Sequence, residues 1–118
     1  MNTPAIPPQC TEEGLPDTGP LTEDRIAEIA KALAHPERVR ILEQFETCQP
    51  HIAQEIVGGS LLAQSTVSEH LRILREAGIL SARKDGPRTW YCMRRTVLRD
   101  FARAVVDITS EPVVAGFM

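Results

Sequence analysis

Three cysteines, three histidines and one run of small polar side chains are the residues of this chain whose types and spacing could do chemistry. Thiolates select soft ions such as arsenite, antimonite, copper(I) or cadmium. Two thiols that meet can instead be oxidised to a disulfide. The plainer role of a cysteine is a small buried hydrophobe. Cys92, between Tyr91 and Met93 in a strand-like stretch, reads that way first and as a third ion ligand second. Cys10 lies in a segment with no evident packing purpose, and Cys48 at a break between helical patterns. His51 could join Cys48 around zinc, although a surface histidine in a first helical turn is the simpler reading. His35, just before Pro36, suits a helix cap better than a ligand. No nucleophile elbow, Gly-rich phosphate loop or metal-hydrolase spacing is present, which points away from an enzyme.

These residues must be held by a small frame. The chain has 118 residues, 42% hydrophobic and only 4% aromatic, so one domain with an aliphatic core is expected. No apolar run approaches the roughly 18 residues of a membrane helix, and no leader pattern opens the chain. A cytoplasmic protein without membrane contact is expected, and an odd cysteine count there argues against a disulfide. Residues 1–21, with Pro4, Pro7, Pro8, Pro16 and Pro20, read as a flexible arm carrying Cys10. Residues 22–110 read as the folded domain, and 111–118 as a C-terminal tail.

Within the domain, Thr22 is a plausible N-cap for a helix with Ile26, Ile29, Ala30 and Leu33 at helical spacing. Pro36 suits the first turn of a second helix, with Val39, Ile41, Leu42 and Phe45. A short helix with Ile52, Ile56 and Val57 is expected after Pro50, ended by Gly58-Gly59. A longer helix follows from about Gln64 to Ala77, its buried face set by Val67, Leu71 and Leu74. Gly78 closes it. Residues 79–84 and 89–94 read as a hairpin around Asp85-Gly86-Pro87-Arg88. A last helix spans about 96–110, with Val97, Leu98, Phe101, Val105 and Ile108 in one stripe. The expected fold is mainly α with a small β-hairpin wing, a winged helix-turn-helix.

Charge sorts along this order. The net charge is −3, yet residues 58–95 hold seven bases against Glu69, Glu76 and Asp85. A basic island lies over the polar helix and the hairpin, in an otherwise acidic chain. Charge and topology coinciding is more specific than either alone.

Residues 32–42, Ala-Leu-Ala-His-Pro-Glu-Arg-Val-Arg-Ile-Leu, and residues 62–80 around Ser65-Thr66-Val67-Ser68-Glu69-His70-Leu71 resemble the ArsR/SmtB-type transcriptional repressors. The turn 85–88 with Trp90-Tyr91 resembles their wing, and the likeness covers roughly 22–108. Ala63 departs from it, standing where the family often has a serine cap.

The resemblance implies a homodimer on a double-stranded operator of imperfect-palindrome form. It places Gln64, Ser65, Thr66, Ser68, Glu69 and His70 toward the DNA, Gln64 on an adenine edge and Ser65 and Thr66 on phosphates. Arg72 and Arg75 would meet backbone, unless Arg75 pairs with Glu76 or Glu43. Arg83, Lys84 and Arg88 would reach flanking phosphates or the minor groove. It also implies an inducer. The C-terminal-helix zinc site lacks its histidines and the Cys-x-Cys motif is missing, so zinc is disfavoured. Cys10 and Cys48 match relatives that bind trivalent arsenic between subunits, with one arm cysteine here instead of two. Arsenite, methylarsenite or antimonite is the expected inducer. A redox sensor pairing Cys10 with Cys48 is the alternative, and a winged helix that binds only a protein partner is a third.

Overall fold

The computed structural model describes residues 21–45, 51–52, 56 and 64–110. Cys10, Cys48, the arm and the tail lie outside the described residues. Helix α1 spans Glu23–Leu33, with Glu23 and Asp24 in its first turn. Thr22 caps it as expected, its Oγ1 accepting from the Arg25 N–H at 3.2 Å. Helix α2 is Pro36–Glu43. His35 is its cap, Nδ1 accepting from the Glu37 N–H at 3.1 Å. The proline just after it needs no partner for a missing N–H.

Helix α3 spans Gln64–Glu76. It ends in a Schellman arrangement, with Gly78 N–H donating to the Arg75 carbonyl at 2.9 Å and Ile79 N–H to that of Leu74 at 3.0 Å. Gly78 sits at φ 80°, and an added Cβ would come within 2.8 Å of the Arg25 guanidinium. Strands β2, Leu80–Asp85, and β3, Arg88–Met93, form the hairpin. Asp85 faces Arg88 across a two-residue loop whose first member, Gly86, has φ 60°. Helix α4 is Arg95–Thr109.

The sheet departs from expectation. His51–Ile52 is a strand, β1, pairing antiparallel with β3, so the strand order is β1-β3-β2. The free edge of β3 at Trp90 and Tyr91 offers backbone groups, and an extended pair after Pro50 satisfies them. His51 therefore does not lie in a helical first turn. Ile56 is helical and buried.

The core joins Ile29 and Ala32 of α1, Ile41 and Leu42 of α2, Phe45, Ile56, and Val67, Leu71 and Leu74 of α3. Ile79, Leu80 and Val97 close it from the wing and α4. Apart from Phe45 these are aliphatic, in line with the low aromatic content. Among the described residues no helix is long and apolar enough to cross a membrane.

Candidate nucleic-acid interface

Helix α3 buries Val67, Leu71 and Leu74 and turns Ser65, Thr66, Ser68, Glu69, Arg72 and Arg75 outward. Gln64 begins the helix. The first turn holds no carboxylate, so no side chain of that turn offsets the partial positive charge at the helix start. Serine and threonine hydroxyls there can both donate and accept, which suits phosphate oxygens and base edges.

The exposed charges on α3 differ in how far they are already committed. Arg72 donates to both Glu69 oxygens and, at 2.7 Å, to Glu76. Hydrogen bonding from Arg72 holds the Glu69 carboxyl below its usual range. The same bonds, with Glu69 first and Glu76 second, raise the Arg72 guanidinium above its already high value. Thus Arg72, and not Arg75, takes Glu76. Arg75 forms no ion pair among the described residues.

His70 corrects the sequence expectation. It is 7% exposed and turns away from solvent, so it is no base-reading group. Its Nδ1 accepts from Arg38 Nε at 3.2 Å, and its ring lies 4.6 Å from that of His35. Positions 67, 70, 71 and 74 are one helical stripe, and that periodicity is the sign in the sequence that His70 faces inward. Burial, then the charges of His35 and Arg38, push its pKa below 6.5, against weaker pull from Glu37 and Glu69. Arg38 is the site residue that sequence reading passed over. Its Nη1 also donates to the Lys31 and Ala32 carbonyls, at 3.3 and 2.9 Å. One guanidinium thereby ties α1, α2 and α3 together.

On the wing, Arg83, Lys84 and Arg88 are exposed at and beside the loop. Among the described residues none of the three forms an ion pair with a carboxylate. Cys92 faces Ser81 across the hairpin and is half-buried. It is disulfide-bonded, which overturns both the expectation of no disulfide and its reading as a plain buried thiol. A strand beside other elements offers a thiol a fixed direction, and a second thiol within reach suffices. No group of three or more His, Cys, Asp or Glu that could hold a metal occurs among the described residues.

Residues 35–82 match the family model described as bacterial regulatory protein, arsR family. The chain is 31% identical over 88 residues to the HTH-type transcriptional regulator MJ1325 of Methanocaldococcus jannaschii, covering 75% of this chain and 94% of that one. It is 34% identical over 91 residues to a Streptomyces lividans protein named "Probable mercury resistance operon repressor", covering 77% and 70%. The first curated matches, M. tuberculosis regulators, share 40% identity over 60 residues, and the chain spans about half, 53%, of their length. Among solved structures, the homodimeric winged helix-turn-helix DNA-binding domain Mb0332 from Mycobacterium bovis is 29% identical at a TM-score of 0.59. That match covers 73% of this chain and 80% of that one.

Proposed function

The chain belongs to the ArsR family of bacterial regulatory proteins, and from that premise we propose that it represses transcription as a homodimer on operator DNA and lets go when a thiophilic inducer binds. The observation that carries the DNA-binding half is the contrast in committed charge. Arg83, Lys84 and Arg88 stand exposed and, among the described residues, unpaired beside a polar helix whose first turn lacks any acid. Such a surface has its favourable partner in phosphate. Ser65, Thr66, Ser68 and Gln64 are the base and phosphate contacts, with Glu69 and Arg72 contributing as a paired unit. The homodimer has support in the Mb0332 neighbour and in the apolar face of α4.

The inducer half rests on thiol chemistry. In the chain with its Cys92 disulfide reduced, Cys10 and Cys48 supply thiolates to trivalent arsenic or antimony, and the Streptomyces relative brings mercuric ion, another soft cation, into the same class. The test is fluorescence anisotropy on the DNA upstream of the gene, with arsenite, methylarsenite, antimonite, mercuric ion, cadmium, zinc and peroxide added in parallel. Release by a soft ion in wild type, lost in Cys10→Ser and Cys48→Ser, supports the reading. Unchanged release in both variants sinks it.

One observation favours a second reading, a redox sensor: the disulfide at Cys92. Peroxide would then remove two electrons from a thiol pair containing Cys92 and be reduced to water. Release by peroxide that survives in Cys92→Ser would exclude it. Affinity indifferent to salt would instead favour a protein partner over DNA.

A further inference from the structure

We propose that the cleft between α1, α2 and α3 binds a small organic monocarboxylate with an aliphatic body, and that its occupancy is passed to α3 through Arg38 and His70. The cleft encloses 330 Å³ and is lined by Glu28, Lys31, Ala32, Arg38, Ile73, Glu76 and Ala77. Small-molecule sites begin at about 300 Å³. Its floor is apolar. Ala32 and Ala77 are 3% and 4% exposed, and Ile73 is half-buried. Alanine on both facing helices keeps the space open where a leucine would fill it.

Two acids and two bases line this floor, and they differ in how far they are already paired. Glu28 is engaged by Arg25 at 3.4 Å and Glu76 by Arg72 at 2.7 Å. Among the described residues neither Lys31 nor Arg38 meets a carboxylate. Arg38 donates Nε to His70 and Nη1 to two carbonyls, which leaves Nη2 for an incoming oxygen. A half-buried guanidinium with no carboxylate in direct contact gains most from an anion that also covers the apolar wall. An amine would meet two unpaired cations, and the carboxylates of Glu28 and Glu76 that could attract it are already held by Arg25 and Arg72. A phosphodiester would leave the floor bare. The guanidinium that takes the carboxylate is the one that orients His70, so ligand binding and the setting of α3 are coupled and the coupling is reciprocal.

The test is made on the free 118-residue chain, so its outcome is separate from that of the DNA reading. Methyl and histidine NMR spectra are recorded while hexanoate, hexanol or hexylamine is added. Hexanoate should move the Ile73 and Ala77 methyl signals and the His70 Hε1 signal saturably, and hexylamine should not. Lys31→Glu, at an exposed position, should weaken hexanoate about tenfold. Arg38→Met should abolish the His70 response, and if that variant does not fold, Lys31→Glu still decides. Equal responses to hexanoate and hexylamine, shifts that never saturate, or unchanged affinity in Lys31→Glu would overturn the site. Methyl shifts with a stationary His70 signal would overturn the coupling.

Discussion

His70 can accept the Arg38 Nε–H only as a neutral imidazole, with its proton on the other nitrogen. A proton on Nδ1 would remove that acceptor and set a cation against Arg38, beside His35. Burial, followed by those two neighbours, is why its pKa lies below 6.5, and Glu37 and Glu69 only soften the effect. The sign of the linkage follows. Below pH about 6.5 the unfolded chain takes up the proton more readily than the folded one, so stability falls with pH until the folded His70 also titrates. Urea unfolding should therefore show wild type losing stability between pH 7 and pH 5. His70→Gln, which offers an acceptor that does not titrate, should show a flatter profile over the same window, and an equal slope would remove His70 as the cause. At pH 7.5, His70→Ala leaves the Arg38 Nε without its partner and should cost about 1–3 kcal/mol in the same assay.

At the scale of elements, helix α3 and the wing divide the charge of the proposed DNA face unequally. Arg72 is already neutralised by Glu69 and Glu76, whereas Arg83, Lys84 and Arg88 are not paired among the described residues. Arg83→Ala should weaken operator binding and lower the slope of log K against log salt by about 1. Arg72→Ala should change that slope less. Equal slopes for both variants, read by anisotropy across a salt series, would show that the ion pairs open on DNA. The joint between these elements is equally specific. Gly78→Ala places a Cβ at φ 80° against the Arg25 guanidinium, so a loss of about 1–2 kcal/mol is expected, read as a lower Tm. Most of this layout was legible in the sequence. Helix α3 announced itself through Val67, Leu71 and Leu74, and the hairpin through Asp85-Gly86-Pro87-Arg88, because both patterns are local. Strand β1 was not legible. Two residues have no periodicity, and what makes them a strand is the edge of β3 some forty residues on. His70 was half legible: its spacing placed it inward, while its polar type suggested DNA. Arg38 was not legible, because its role is a contact across 32 positions.

For the whole molecule, the overall charge of −3 conceals a basic stretch across α3 and the wing, and an acidic remainder disfavours non-specific binding to DNA. The fold also leaves one face unfinished. Along α4 the apolar stripe starts buried at Val97, 1% exposed, is partly covered at Leu98 and Phe101, and emerges at Val105, 38%, and Ile108, 72%. A helix that carries its stripe beyond its own core needs a partner for the remainder. In the proposed homodimer a second copy would supply one by two-fold symmetry, each α4 offering the same face to the other. Ile108→Glu tests this at a position that stands exposed among the described residues. The substitution would place a carboxylate within the apolar face that each copy offers the other. Dimerisation should weaken at least about tenfold, with the circular-dichroism helix signal retained. Analytical ultracentrifugation reads the first, and operator affinity should fall with it, because a monomer reaches only one half-site. A variant that sediments as wild type does would place the dimer contact on another face.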